Sequence, residues 1–293
     1  VWAGKAAPGQ TDIWRVEDGF LRSRGLGADL IPPLSLVCDD LGIYYDPSRA
    51  SRLEEWINKR LQLRPDQMQR ATRLIAALRE KGLSKYNLGG PAEWSGLPEG
   101  RRILVPGQVE DDASIKTGTT SISTNLGLLQ AVRAANPDAV ILYKPHPDVE
   151  AGLRQGEIEA EGIADRILHH ADPVALLPYV DEVWTMTSLL GFEALLRGVK
   201  VVTLGAPFYA GWGLTEDRGD VPARRPTNVT LEGLVHAALI DYPRYFDPLS
   251  GLACPVEVAL DRLETGIGMR AGLANRLLAK AQGIFASQAH LWR

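Results

Sequence analysis

The amino-acid sequence predicts an α/β protein built from two Rossmann-like halves with a ligand cleft between them. Strand-like apolar runs alternate with helical segments along most of the 293 residues, and this alternation is typical of βαβ units. The strands are apolar along their whole length, which indicates parallel strands buried on both faces. A segment rich in proline and glycine, residues 91–100, predicts a hinge between the halves.

The first half opens with short strand-like runs and continues with two helical segments. Its predicted strands are residues 12–16, 35–38 and 43–45, and its predicted helices are residues 52–62 and 65–81. The predicted domains are residues 1–98, residues 99–255, and C-terminal helices at residues 256–293 that return to the first domain.

The second half carries a longer series of alternating elements. Its predicted strands are residues 102–106, 139–143, 166–168, 182–186 and 200–204, and its predicted helices are residues 124–135, 149–158, 173–177 and 190–197. Open parallel sheets bind ligands beyond the carboxyl ends of their strands, so the residues that follow these strands are the candidates for function.

Composition excludes several classes of protein. The net charge of −4 argues against a general nucleic-acid binder. The two cysteines, Cys38 and Cys254, are too far apart for a disulfide framework or a metal knuckle, so a reducing, cytoplasmic location is expected. No metal site, P-loop, signal peptide or membrane span of roughly 20 apolar residues is visible. The start at Val1 predicts one module of a longer protein.

The strand-like run ILYKPHPDV ends in a histidine fixed between two prolines. Lys144 and His146 therefore follow a strand, and a cation beside an imidazole suits a phosphate or a carboxylate. The alternative is an ordinary loop histidine that is held by its prolines.

A second candidate, WTMTSLLGFEALLRG, joins a strand to a helix. Thr187 and Ser188 lie where that helix begins, and a helix N-terminus with hydroxyl groups can bind phosphate. Gly191 indicates close packing, and Glu193 follows in the next turn. The alternative is a plain helix cap with a solvated glutamate. Tyr209, in the loop APFYAGWG, either stacks on a base or packs within an Ω-type loop.

The loop GQVEDDASI places Gln108 and three adjacent acids after the first strand of the second half. Adjacent acids repel one another unless a charge, a dipole or a ligand compensates. Carboxylates such as those of Glu110, Asp111 and Asp112 can act as nucleophiles in covalent glycosyl transfer. The alternative is an acidic surface turn.

Acids also end an apolar run of the first half. Glu17 and Asp18 are candidates for acid/base work across the cleft. Arg22 and Arg24 follow them and could hold a carboxylate by bidentate pairing. The alternative is a set of ordinary turns.

Several long motifs occur in the order found in one family. They are EDGFLRS, LVCDD, GQVEDDASI, ILYKPHPDV, VDEVWTMTSLLGFEALLRG and GAPFYAGWGLTEDR, followed by YPRYFDP. The sequence therefore resembles the capsule-polysaccharide β-Kdo transferases of the KpsC type from about residue 14 to residue 263.

This resemblance implies a retaining glycosyltransferase of the two-lobed GT-B class. The donor would be CMP-β-Kdo, with no cofactor required. The acceptor would be a Kdo-bearing glycolipid of the lysophosphatidylglycerol type, the lipid linker of the capsule in Gram-negative bacteria. A second transferase module in the full-length protein and a peripheral contact with the inner membrane are also implied.

The resemblance also assigns roles to residues. It implies double displacement with Asp112, in a Gln-x-x-x-Asp motif that begins at Gln108, as the nucleophile. Glu17 would be the acid/base, with Asp18 and Asp40 as the next candidates for that role. His146 would contact the donor. The implied donor-binding set is Gln108, Lys144, Ser188, Thr187, Glu193, Gly191, Arg22 and Tyr209.

Two other functions stay open from the sequence. A sialyltransferase-like enzyme that uses another CMP-sugar would share the His-Pro element and the serine at the helix start. A non-catalytic carbohydrate-binding module would bind sugar without turnover. The basic tail, residues 268–293, either touches an anionic membrane surface or packs as a helix.

Overall fold

The computed structural model describes residues 1–5, 12–25, 31–87, 96–225 and 228–267, and the chain divides into two compact units. The first unit consists of Val1–Tyr44, Arg49–Leu88 and Val229–Arg293, and the second of Tyr45–Ser48 and Gly89–Asn228. The second domain therefore ends at residue 228 rather than at residue 255 as predicted. Half of the predicted hinge, residues 91–95, and all of the tail at 268–293 lie outside the described residues.

The strands are β1 (Arg15–Asp18), β2 (Ser35–Asp39), β3 (Arg102–Pro106), β4 (Val140–Lys144), β5 (Arg166–Ile167), β6 (Glu182–Thr185), β7 (Lys200–Thr203), β8 (Glu216–Asp217), β9 (Pro243–Phe246) and β10 (Ala253–Cys254). The helices are α1 (Arg52–Lys59), α2 (Pro65–Glu80), α3 (Ala113–Gly118), α4 (Asn125–Ala135), α5 (Pro147–Glu150), α6 (Pro173–Leu176), α7 (Leu189–Leu195), α8 (Leu231–Val235) and α9 (Val256–Thr265), and a π-helical turn, His236–Asp241, follows α8.

The second unit is a parallel sheet with the strand order β5-β4-β3-β6-β7-β8. Strands β3, β4 and β6 are buried at nearly every position, as continuously apolar strands should be. This sheet confirms the predicted α/β class. The chain runs outward from β3 to β5 and then returns to β6, so the strand order reverses between β3 and β6. Ligands of such sheets bind beyond the carboxyl ends of the strands at this reversal.

The first unit contains a sheet of a different kind. Its described strands lie in the order β1-β2-β9-β10 and pair antiparallel, whereas we predicted a Rossmann-like half. Strand β9 pairs with β2, with Leu36 opposite Arg244. This pairing places the segment after residue 228 in the first unit and explains the corrected boundary. The predicted strand at 43–45 is a turn.

One predicted helix is much shorter than expected. The segment 149–158 is helical only as the end of α5, because the chain turns at Gly152 and Gly156, where φ is +68° and +134°. Positive φ ends a helix and is readily adopted by glycine. Within the described ranges, no helix is long and apolar enough to cross a membrane.

Candidate active site

Two loops of the second unit meet at the carboxyl ends of β3 and β6. Gln108 follows β3, and its side-chain oxygen accepts hydrogen bonds from the backbone N–H of Thr187 (3.0 Å) and the hydroxyl of Thr185 (3.1 Å). Its side-chain nitrogen donates to Oγ1 of Thr187 at 2.9 Å. Since this amide is buried, Gln108 holds the two loops together at the reversal of the sheet.

Asp112 lies directly before α3 and caps that helix. Its Oδ1 accepts hydrogen bonds from the backbone N–H (2.9 Å) and the hydroxyl (2.7 Å) of Ser114. The same hydroxyl oxygen accepts from Oγ1 of Thr187 at 3.3 Å. No described residue donates a hydrogen bond to Oδ2 of Asp112. This hydrogen-bond chain, which begins at Gln108, fixes the carboxylate and leaves one oxygen available.

The other two acids of the EDD run have separate partners. Glu110 accepts from the backbone N–H of Asn125 at 2.7 Å. Asp111 pairs with Arg154 at 2.7 Å. Burial alone would raise the pKa of Asp111, but the hydrogen bond and the charge of Arg154, together with the charge of Lys116, outweigh burial and the pKa is lowered. The predicted repulsion is thus compensated, by a cation that the sequence analysis missed. No cluster of three or more His, Cys, Asp and Glu residues suited to a metal ion occurs among the described residues.

His146 caps the short helix α5 and is half-buried. Its Nδ1 accepts a hydrogen bond from the backbone N–H of Asp148 at 3.1 Å, so the neutral ring carries its proton on Nε2. Burial lowers the pKa of His146, while the negative charges of Asp148 and Asp112 oppose this shift. The ring is therefore neutral at pH 7 and offers an Nε2–H donor within the field of Asp112.

Lys144 is buried at the end of β4 and does not present its ammonium group to solvent. Its Nζ lies 2.6 Å from Oε2 of Glu150 and also donates to the carbonyl of Pro145. The second oxygen of Glu150 accepts from the backbone N–H of His170 at 3.0 Å. The predicted contact of Lys144 with the donor therefore needs correction. Its ion pair instead braces the loop that carries His146.

Tyr209 fixes the start of α7 by a hydrogen bond to its capping residue. Ser188 caps the helix, and its Oγ accepts from the backbone N–H of Leu190 at 3.2 Å. Tyr209 is fully buried and its hydroxyl donates to the carbonyl of Ser188 at 2.5 Å. A Cβ on Gly191 would lie only 2.2 Å from that hydroxyl oxygen, which explains the glycine. The predicted stacking of Tyr209 on a base is therefore wrong, because its ring is buried. Glu193 is buried within α7.

The acids predicted for acid/base work lie in the first unit. Asp18 pairs with Arg22 at 2.5 Å. Arg22 is buried and has two further acceptors in the same unit, so its predicted role as a ligand of the donor also needs correction. Glu17 is half-buried in β1, and Asp40 pairs with Arg52 at 2.6 Å. The acid/base role of Glu17 stays a prediction.

Known proteins that are similar to this chain take part in capsule polysaccharide biosynthesis or modification. The sequence profile of a family described as capsule polysaccharide biosynthesis protein matches residues 3–89 and 97–245. The capsule polysaccharide modification protein LipA of Neisseria meningitidis serogroup A is 45% identical over an alignment of 285 residues, which covers 94% of this chain and 40% of the relative. The chain thus spans well under half the length of that relative.

Two solved structures from Thermosulfurimonas dismutans are also similar. The KpsC beta Kdo 2,4 transferase is 38% identical with a TM-score of 0.80, covering 86% of this chain and 79% of that one. The KpsC beta Kdo 2,7 transferase is 39% identical with a TM-score of 0.72, covering 89% and 80%. These likenesses confirm the predicted fold class, α/β of the GT-B type.

Proposed function

Because the chain belongs to the capsule polysaccharide biosynthesis protein family, we propose that it is a retaining β-Kdo glycosyltransferase. It moves Kdo from CMP-β-Kdo to a Kdo-bearing glycolipid during capsule assembly. The observation that carries this proposal is the placement of Asp112 at the reversal of the sheet, with Oδ1 held by Ser114 and Oδ2 available. The likeness to two transferases named for β-linked Kdo supports the choice of sugar.

In the first half-reaction, Oδ2 of Asp112 attacks the anomeric carbon of Kdo. A carbon–oxygen bond forms as the bond to the phosphate oxygen breaks, and that electron pair leaves with CMP. The transition state is oxocarbenium-like, so a carboxylate opposite the leaving group stabilises it before it forms the ester. The carboxylate of Asp112 is held in one orientation before the reaction, because its Oδ1 accepts two hydrogen bonds from Ser114.

In the second half-reaction, a hydroxyl of the acceptor attacks the same carbon and the carboxylate of Asp112 leaves. The attacking hydroxyl gives its proton to a general base, for which Glu17 is the proposed residue. Two successive inversions at the anomeric carbon give net retention.

The leaving phosphate needs hydrogen-bond donors at the edge of the sheet. His146 supplies Nε2–H as a neutral donor, because Nδ1 is occupied by the backbone N–H of Asp148. Ser188 accepts from the backbone N–H of Leu190 and keeps its own proton to donate. Lys144 is assigned a supporting role, because its ion pair with Glu150 holds the segment that follows His146.

The proposal extends to the setting of the reaction. The acceptor is a lysophosphatidylglycerol-type glycolipid that already ends in Kdo, and the reaction takes place at the cytoplasmic face of the inner membrane. A second transferase module accompanies this one in a longer protein, which is consistent with the 40% of the meningococcal relative that this chain spans.

A transfer assay tests the function. The protein is incubated with CMP-Kdo, generated in place because it is labile, and with a Kdo-terminated acceptor, and the anomeric configuration of the product is read by NMR. We expect a β-linked product from the wild type and from Asp111→Asn, the matched control. Asp112→Asn keeps the helix cap and should lose more than about 10³-fold in rate. An α-linked product, or an active Asp112→Asn variant, contradicts the mechanism; no product from any Kdo acceptor contradicts the function.

A further inference from the structure

The turn between β9 and β10 exposes apolar side chains that the proposed reaction does not use. The hairpin tip, defined as residues 246–253, is exposed at every position except 247. Phe246, Leu249 and Leu252 have exposed fractions of 43%, 57% and 68%. Apolar residues clustered at the tip of one hairpin mark a site of interaction more often than scattered ones do.

The tip presents no charge of its own to solvent. Its single ionisable residue, Asp247, is buried, and its carboxylate lies 2.8 Å from Nε of Arg262. The hydrogen bond from Arg262 is the largest cause of the lowered pKa of Asp247, with Ser250 and the backbone N–H of Leu249 as further donors. The carboxylate therefore stays ionised, and its charge is balanced by the ion pair with Arg262.

Several backbone N–H groups of the tip also donate hydrogen bonds within the turn. The N–H of Gly251 donates to the carbonyl of Asp247 at 2.8 Å, and the N–H of Asp247 donates to the carbonyl of Leu252 at 2.9 Å. The N–H of Leu252 donates to Oγ of Ser250 at 3.3 Å. Internal bonding of these N–H groups lowers the cost of moving the tip from water towards an apolar lipid phase.

A positive charge lies behind the apolar tip on the same face. Arg244 and Phe246 alternate with buried neighbours in β9, so both side chains project from the exposed face two residues apart, roughly 7 Å along the strand. An arginine at this distance from inserted apolar side chains can reach the level of anionic headgroups.

From these features we propose that the hairpin tip docks the protein on an anionic lipid bilayer. Leu249 and Leu252 enter the region between headgroups and acyl chains, Phe246 lies at the interface, and Arg244 pairs with lipid phosphates. The inference goes beyond the proposed transfer reaction, although a lipid-borne acceptor would be reached from such a surface.

Vesicle co-sedimentation without donor or acceptor tests this proposal separately from activity. We expect the protein to bind phosphatidylglycerol-containing vesicles more tightly than phosphatidylcholine vesicles. Leu249→Ser with Leu252→Ser should weaken binding by about tenfold per leucine. Arg244→Gln should weaken it about fivefold and reduce its dependence on salt. Leu126→Ser, an exposed leucine of α4 in the second unit, is the control and should bind as the wild type.

Three results would overturn the proposal. One is a wild type that does not sediment with anionic vesicles, and another is a double serine variant that binds as tightly as the wild type. The third is a wild type that self-associates in solution and becomes monomeric in the double serine variant, which would assign the tip to contact between copies of the chain. Far-UV circular dichroism and thermal unfolding establish that every variant is folded.

Discussion

Ser114 controls how the carboxylate of Asp112 behaves during the reaction. Ser114→Ala removes the 2.7 Å hydrogen bond to Oδ1 but leaves the 2.9 Å bond from the backbone N–H, so the cap of α3 remains. A hydrogen bond to a charged acceptor contributes about 1.5–3 kcal/mol, and the low end applies because Asp112 is half-buried. The hydroxyl stabilises the carboxylate more than its ester, so it helps Asp112 to leave in the second half-reaction.

Losing about 1.5–2 kcal/mol of this stabilisation should slow release of the sugar by roughly 10–30-fold. We expect kcat to fall by that factor, KM for the donor not to rise, and the glycosyl-enzyme to accumulate in quenched reactions read by intact mass. Ser114→Thr keeps a hydroxyl group and should therefore keep most of the wild-type rate. Thr119→Ala is the control, because that hydroxyl donates to the carbonyl of Ile115 and not to Asp112. A fall in kcat without accumulation of the adduct, or an equal effect of Thr119→Ala, would refute this reasoning.

Three further predictions concern the supports of the site. Glu150→Gln leaves the buried ammonium of Lys144 without its ion pair and should lower the free energy of unfolding in urea by about 3–5 kcal/mol. Adding Lys144→Met to the same chain should restore most of this loss. Full stability of Glu150→Gln alone would contradict the buried ion pair. Gly191→Ala places a Cβ 2.2 Å from the hydroxyl oxygen and 2.7 Å from the Cζ atom of Tyr209 and should cost about 1–3 kcal/mol by the same assay. Tyr209→Leu in the same chain should make the added methyl group less costly, and a Gly191→Ala variant as stable as the wild type would disprove the clash. Burial lowers the pKa of His146 below 6.5, so the unfolded chain binds a proton there at a higher pH than the folded chain does. The melting temperature should therefore fall more steeply below pH 6.5 in the wild type than in His146→Gln. Equal slopes would count against a buried neutral ring.

The parallel sheet could be predicted from the sequence because its strands are local and continuously apolar. Strand β3, Arg102–Pro106, has the predicted bounds, since no polar residue interrupts the run RILVP after its first position. The antiparallel sheet of the first unit could not be predicted in the same way. It depends on the pairing of Leu36 with Arg244, and no local pattern reports a contact between residues so far apart in the chain.

The sequence predicted where several candidate site residues lie, but it could not predict which side chains they contact. Asp112, His146 and Ser188 lie at strand ends and helix starts, where the local motif determines their position. Lys144 was predicted to bind the donor because the sequence does not show that Glu150 folds back on it. Tyr209 was predicted to be accessible, although its approach to Gly191 requires that it be buried.

The decisive experiment is the intact mass of the protein after brief incubation with CMP-Kdo and no acceptor. The wild type and Asp111→Asn should each gain the mass of one Kdo residue, which peptide mapping should place on Asp112, and Asp112→Asn should gain nothing. An adduct on a different residue, or transfer to acceptor with no adduct under any quenching condition, would contradict the assignment of Asp112 as the nucleophile.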